Sequence, residues 1–415
     1  MTDGGAHGGA QGGAHGGEDP LVATFGSLWP GAAVTARPDG RWALVPNARR
    51  PRQVVPVSSR LAAGRTLCRF SSDSSPAQVV RRVAGAAVVG ATRGALLGTR
   101  VGLSGEPVDS LARHLGELMG QPVTFSVGIG SERVNRKPVL QVFDERGRTL
   151  AFVKIGDSEV ARADVTAEGA NLHRVAAAPL RDVVAPRVLH ESWWRDRVVL
   201  VLEPLGSLRA SLPRPRRART APPLAAMDDL ARAFAEPGTP LEDLAWWSEQ
   251  RRLSLQMADL DQGRRLRVAM DRLEVLADGR AWPVGAWHGD WTPWNMAPAA
   301  RGRVHLWDWE RFETGVPRGL DRMHHAVNVA TVRHGASPEV VVGALPAGSV
   351  TERVLAGAYL VAVTNRYLLL AATERGEHIR DRGSCVLAAL EELAGLGVSD
   401  RSAGSPAGCP GRRSA

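Results

Sequence analysis

Apolar and polar positions follow two different periods along this chain, and the changes of period mark out its elements. From about residue 107, V-D-S-L-A-R-H-L-G-E-L-M places its apolar residues at helical spacing, with Pro107 just ahead of the first turn. The run V-T-F-S-V-G-I-G-S-E-R-V-N-R-K-P-V-L-Q-V-F-D then predicts two alternating strands around a turn holding Gly128 and Gly130. R-G-R-T-L-A-F-V-K-I-G predicts a third strand, and A-R-A-D-V-T-A-E-G-A-N-L-H-R-V-A a helix. R-V-V-L-V-L-E-P-L at 197–205 reads as a buried strand, residues 226–280 as helices, V-H-L-W-D-W-E at 304–310 as a further strand, and the chain from there to about 396 as helices. Strands followed by helices predict an α+β chain, with a small β-rich amino-terminal lobe over 107–205 and a larger helical carboxyl-terminal lobe over 206–398.

Upstream the pattern is weaker. Between residues 20 and 106, W-A-L-V-P, Q-V-V-P-V and V-A-G-A-A-V-V-G-A are separated by Pro, Gly and Ser clusters. They predict small strands and turns in an accessory region that holds no catalytic constellation. Residues 1–19 (Gly, Ala and His) and 399–415 (Ser, Gly, Pro and Arg) have no apolar periodicity and are expected to be disordered. Residues 206–224, rich in proline and arginine, read as a loop or crossover. The apolar run at 354–372 is interrupted by Asn365 and Arg366, so it reads as a core helix rather than a membrane span.

Composition narrows the class. A chain of 415 residues with 44% hydrophobic residues can bury a sizeable core. Cys68, Cys385 and Cys409 have neither metal-ligand nor disulfide spacing, and no basic region precedes an apolar stretch at the start. A reducing cytoplasm is the expected setting. The net charge of +9 raises the question of nucleic acid, but the arginines are dispersed rather than striped with aromatics, which argues against that partner. More informative is that only Lys137 and Lys154, among 52 basic residues, are lysine. Where arginine is the default, a lysine marks a place where a planar fork does not fit and a compact ammonium does.

The candidate chemistry lies in W-H-G-D-W-T-P-W-N-M at 287–296, which spaces His288, Asp290 and Asn295, and in Asp308 thirteen residues further on. A carboxylate, an amide and a second carboxylate in this order suit phosphoryl transfer. One acid orients or deprotonates a hydroxyl, while the amide and the other acid hold magnesium against a nucleotide's phosphates.

The motif H-G-D-x-x-P-x-N followed by W-D-W-E resembles the aminoglycoside phosphotransferase family, the small-molecule branch of the protein-kinase-like fold. The resemblance implies a two-lobed fold with Asp290 as catalytic base and Asn295 and Asp308 as magnesium ligands. It implies Lys154 on the phosphates of ATP or GTP, Glu168 as its ion-pair partner, and Gly128 and Gly130 in the turn over the phosphates. Ser131, Glu132 and Arg133 follow that turn where more glycine would be usual. Arg136 and Lys137 either face phosphate in their place or belong to a solvated hairpin. Backbone groups from Glu203 to Leu205 would meet the adenine edge, and Asp321 and His288 would brace the catalytic loop.

Glu310 shares a face with Asp308 if the strand continues through both. The implied acceptor is a small-molecule hydroxyl: a sugar, an aminoglycoside-like compound or an amino alcohol. Trp282, Trp287, Trp291, Trp294, Trp307 and Trp309 crowd the motif, and most of them, like Trp246 and Trp247, read as core. The alternative is a catalytically inactive nucleotide-binding scaffold of the same fold. No membrane partner is expected.

Overall fold

Nine strands of the first half of the chain join in one sheet. The computed structural model describes residues 25–26, 28–46, 52–68, 74–92, 95, 100–104, 110–128, 137–205, 220–257, 260–372 and 377–396. The segments expected to be disordered at the two ends therefore lie outside the described residues, as does most of the 206–224 loop. In chain order the first strands are β1 (Ala33–Ala36), β2 (Trp42–Val45) and β3 (Gln53–Pro56). Helices α1 (Arg60–Leu67) and α2 (Pro76–Thr92) follow, then β4 (Arg100–Ser104) and α3 (Leu111–Met119). Next come β5 (Thr124–Gly128), β6 (Val139–Phe143), β7 (Thr149–Gly156), α4 (Glu159–Ala176), β8 (Val183–Val184), β9 (Val188–Trp194) and β10 (Arg197–Leu202).

Two expectations about the amino-terminal third are corrected. V-A-G-A-A-V-V-G-A is not a strand; it forms most of α2, where Val79, Ala86 and Val89 are buried at helical spacing. Alanine favours helix, and the glycines serve helix crossing: a Cβ at Gly64 of α1 would lie 3.1 Å from the Ala86 carbonyl oxygen, and one at Gly90 of α2 equally close to that of Arg60. Nor do residues 20–106 stand apart as an accessory region. β3 pairs antiparallel with β5 (Val54 opposite Val127), and Trp29 stacks on Phe125 with ring centroids 5.6 Å apart. Those rings share a core with Trp42, Leu140, Val153 and Val201, so the region upstream of 107 and the strands that follow it bury one apolar face together.

The carboxyl-terminal half is mainly helical: α5 (Leu224–Ala233), α6 (Ala245–Leu255), α7 (Asp261–Ala277), α8 (Leu320–His334), α9 (Pro338–Gly343), α10 (Val350–Ala371) and α11 (Glu377–Leu393). Short strands interrupt it. β11 (Glu236–Pro240), β12 (Ala281–Trp287) and β15 (Glu313–Pro317) form one small sheet, and β13 (Met296–Pro298), β14 (Val304–Leu306) and β8 form another. α10 starts at a capping box, Ser349 with Glu352, and runs through the centre of this lobe. Its length and composition would allow it to cross a membrane, yet Leu360, Val361 and Asn365 are buried against the other helices, and Asn365 donates to the Gln250 carbonyl at 2.9 Å. It is a core helix. Leu273, Leu360, Leu387 and Leu390, each fully buried, contribute about 1.5–3 kcal/mol apiece.

Candidate active site

Lys154 and Glu168 are brought together by local chain geometry. β7 carries Lys154, only Asp157 and Ser158 separate β7 from α4, and the Ser158 side chain caps that helix by accepting from the Ala161 N–H. Glu168 then lies on the face of α4 that packs under the sheet. Lys154 Nζ is 2.7 Å from Glu168 Oε1 and 2.5 Å from Asp308 Oδ1. Glu168 is 0% exposed and Lys154 7%, whereas the Asp308 side chain keeps 40% of its surface in solvent. Burial alone would pull the ammonium's pKa down. The Asp308 and Glu168 carboxylates outweigh that and hold Lys154 above the ordinary lysine range.

The loop at 288–295 leaves the end of β12 and is fixed from below. Asp321, in the first turn of α8, accepts the backbone N–H groups of His288 at 2.8 Å and Gly289 at 3.2 Å. Gly289 has φ +78°, and a Cβ there would lie 2.3 Å from the Arg311 carbonyl oxygen. From above, Arg366 of α10 donates to the Gly289 carbonyl at 2.8 Å, its guanidinium resting 5.6 Å from the Trp287 ring centroid. Gly289→Ala therefore meets both a left-handed backbone and a rigid clash. It should cost about 2–4 kcal/mol in urea unfolding, and a variant within 0.5 kcal/mol of the parent, roughly the range of an ordinary surface change, would contradict this account.

Asp290 is gripped at both oxygens. Oδ2 accepts from Asn295 Nδ2 at 2.8 Å, and Oδ1 lies 3.1 Å from His324 Nε2, whose other ring nitrogen is 3.4 Å from the Tyr359 hydroxyl. Burial pushes the Asp290 carboxyl up, but the His324 hydrogen bond and the charges of His324 and Arg366 outweigh it and hold the group below the usual carboxylate range. His288 is 0% exposed, and burial lowers its imidazole to about 4. It is a neutral brace: Nδ1 faces the Asp290 N–H at 3.3 Å, and the ring packs edge-on against Trp309 with centroids 4.8 Å apart.

Asp308 does not lie on a strand. β14 stops at Leu306, Asp308 adopts φ 67°, ψ 60°, and Trp309–Arg311 form a single 3-10 turn. The expectation that Asp308 and Glu310 share a strand face is corrected accordingly. Buried Trp309 dictates the turn: its N–H faces Glu168 Oε1 at 3.3 Å, its carbonyl accepts from Asn171 at 2.9 Å, and its indole donates to the Leu306 carbonyl at 2.9 Å. Asn295 spends its Nδ2 on the Asp290 carbonyl (3.0 Å) and carboxylate (2.8 Å), which leaves its Oδ1 as the donor available to a cation. One amide oxygen and one open carboxylate are hard donors that fit magnesium, an ion that retains water and phosphate oxygens in the rest of its shell. Among the described residues no group of three or more His, Cys, Asp or Glu is arranged to hold a metal ion.

A cavity of about 1240 Å³ is lined by Asp308 and, from the loop, by Trp294 and Ala297; Asp290 and Asn295 are not among its lining residues. It exceeds the roughly 300–1,000 Å³ of ordinary ligand sites. Lys154, Glu168 and Asp308 line one part, Glu203 and Leu205 another, with Phe152, Trp294 and Trp307 among the remaining walls. The Glu203 carboxylate is paired with Arg187 (2.7 Å), and its N–H donates to the Arg187 carbonyl (2.9 Å). Gly128 closes β5, opposite Gln53 and Val139, so it is a strand residue within the sheet; Gly130, Ser131 to Arg133 and Arg136 fall outside the described residues. Lys137 is not solvated, as a hairpin lysine would be: its side chain is 8% exposed, pairs with Asp164 and Glu310, and is not among the residues that line the cavity. Trp246, Trp247, Trp282, Trp287, Trp291 and Trp309 are core, as their number suggested.

Sequence reasoning missed the wall that α1 and α2 add to the cavity, with Arg60, Gly64, Arg65, Ala86 and Gly90. It also missed Arg366 and His324. For His324 a signal existed, since it stands three residues after Asp321 on one helix and so on the same face.

No protein-family model and no curated protein matches this chain. Among solved structures it is similar to a thermostable mutant of aminoglycoside phosphotransferase APH(4)-Ia in its apo form, with 16% identity and a TM-score of 0.46 over 70% of this chain and 100% of that one. It is similar also to spectinomycin phosphotransferase APH(9)-Ia in complex with ADP and spectinomycin (10% identity, TM-score 0.39, 68% of this chain and 97% of that one). A third is the ADP-bound aminoglycoside phosphotransferase APH(2'')-Ib (12% identity, TM-score 0.39, 68% and 97%).

Proposed function

We propose that this protein is a magnesium-dependent phosphotransferase that moves the terminal phosphate of ATP or GTP to a hydroxyl of a small molecule. One observation carries the reading: Lys154, Glu168 and Asp308 meet in the wall of a large cleft, and the loop that holds the Asp290–Asn295 pair adds Trp294 to that wall and is joined to the Asp308 segment where the Trp307 N–H donates to the Asn295 carbonyl at 3.1 Å. A buried cation for phosphate, two oxygen donors for a metal and a fixed carboxylate are the parts that phosphoryl transfer requires.

In this reading the base of the nucleotide lies between Phe152 and the Ala297–Trp307 side of the cleft, with the Glu203 carbonyl and the Leu205 N–H at its edge. The ammonium of Lys154 exchanges Asp308 for phosphate oxygens while keeping Glu168. Asn295 Oδ1 and Asp308 would hold magnesium, which when bound neutralises charge on the phosphates. Asp290 accepts a hydrogen bond from the acceptor hydroxyl. Its depressed pKa makes it a weak base, which suits a reaction whose loose transition state needs an aligned nucleophile more than an early proton transfer. His324 and Asn295 supply that alignment by fixing the carboxylate plane.

The test begins with binding. Magnesium with ATP or GTP should raise the melting temperature, because a ligand at 100 times its Kd adds about 2.7 kcal/mol. Quenching of tryptophan fluorescence should report the same event, since Trp294 and Trp307 line the cleft. A panel of sugars, amino alcohols and aminoglycosides scored for nucleoside diphosphate release then identifies the acceptor class. Binding without release for any acceptor would favour a catalytically silent scaffold; absence of nucleotide binding would end the phosphotransferase reading.

A further inference from the structure

The two lysines of this chain form a matched pair. β6 and β7 are antiparallel with Val139 opposite Lys154, so Lys137, two residues before Val139, projects from the same sheet face one rung away. Lys154 sits between Glu168 of α4 and Asp308. Lys137 sits between Asp164 of α4, at 2.8 Å, and Glu310. Asp164 and Glu168 are one helical turn apart, and Asp308 and Glu310 bracket Trp309. Each lysine thus joins one acid of the same helix to one acid of the same turn.

The two sites differ in one respect. Lys154 faces the cleft, whereas Lys137, Asp164 and Glu310 are not among the residues that line it. Lys137 is nonetheless 8% exposed, with Asp164 at 19% and Glu310 at 20%. A buried ammonium with three donors can serve two carboxylates at once, and a planar guanidinium cannot take its place without moving one of them. That accounts for a second lysine in a chain where fifty other basic residues are arginine.

We propose that Lys137 is a positioning residue: a second clamp that ties the Trp309 turn to the amino-terminal lobe through Glu310, independently of Lys154. Its functional meaning rests on the phosphotransferase reading. When Lys154 turns to phosphate and releases Asp308, one of the turn's two lysine ties to the sheet is lost. Lys137 keeps the other, so Asp308 changes partner while its backbone stays where magnesium needs it.

The test uses the full chain with Lys137→Met, Lys137→Arg, Glu310→Gln and Asp164→Asn. In the nucleotide-free protein, hydrogen exchange over residues 304–312 should speed up by roughly tenfold in Lys137→Met and Glu310→Gln. Lys137→Arg should resemble Lys137→Met. Asp164→Asn, which leaves the Lys137–Glu310 contact, should keep the parental rate. In the first three variants the affinity for the magnesium–nucleotide should fall by about tenfold, with metal-free nucleotide affected less. Equal effects from Asp164→Asn, or rescue by arginine, would show that Lys137 merely neutralises buried acids and would overturn the proposal. A parent protein that binds no nucleotide would instead end the phosphotransferase reading, and the exchange measurement would still decide whether the clamp exists.

Discussion

Asp290→Ala is expected to reduce acceptor-dependent turnover by about 10²–10⁴-fold, the usual contribution of a positioned acid–base group, while magnesium–nucleotide binding stays within a few-fold. The structure explains why alanine is the cleaner probe. Both Asp290 oxygens accept hydrogen bonds, from Asn295 and from His324. In Asp290→Asn the new amide would turn a donor toward one of those donors and loosen the loop as well as removing the charge. Asn295→Ala should instead weaken both arms, because Asn295 holds the Asp290 carboxylate with one atom and offers the other to the metal. Turnover of Asp290→Ala within tenfold of the parent, at or below the bottom of the range for such groups, would assign the acceptor hydroxyl to another group.

Lys154→Met should destabilise the fold by about 3–5 kcal/mol, the cost of leaving one partner of a buried ion pair behind, and should abolish nucleotide binding. The stability term comes from Glu168, which has no solvent exposure; Asp308, which is more open, can rehydrate. Burial already pushes the Glu168 carboxyl up, and removing Lys154 takes away the main influence that lowers it. An acid whose pKa is raised in the folded state is least costly when protonated. The deficit should therefore be largest near neutrality and shrink on acidification toward and below the raised value. Lys154→Met combined with Glu168→Leu replaces the pair by apolar groups and should recover most of the stability without nucleotide binding. Chemical denaturation across pH checks both effects. A single variant as stable as the parent would mean that Glu168 is protonated or solvated and that the pair is not what holds α4 to the sheet.

How far the sequence discloses these features depends on the range of the interaction. His288 to Asn295 is legible because the proposed chemistry needs those side chains within one short loop, and seven residues of spacing record it. Lys154 and Glu168 were legible because a strand and the helix after it fix their separation, and because lysine is scarce here. The pairing of β3 with β5 left no comparable trace. Val54 and Val127 are neighbours in the sheet yet far apart in the chain, and alternating apolar residues accept many partners. α2 was misread because a run of Val, Ala and Gly has little period of its own. V-H-L-W-D-W-E reads as a strand because Val304, Leu306, Trp307 and Trp309 give it an apolar, extended character; burial of Trp309, a tertiary effect, folds its second half into a turn.

The continuity of the nine-stranded sheet bears on what can be removed from this protein. β5 pairs with β3 on one side and β6 on the other. A chain beginning at residue 107 would retain the motif residues of the proposed chemistry and lose that first partner. Thr124 to Gly128 would become an open edge with unpaired amides and carbonyls, next to a Phe125 deprived of Trp29. Such an edge is a template for pairing with a second copy, so the shorter chain would tend to aggregate rather than survive as a minimal enzyme. In evolutionary terms the segment before residue 107 is not a detachable module, and its loss would have to be matched by a new edge to the sheet.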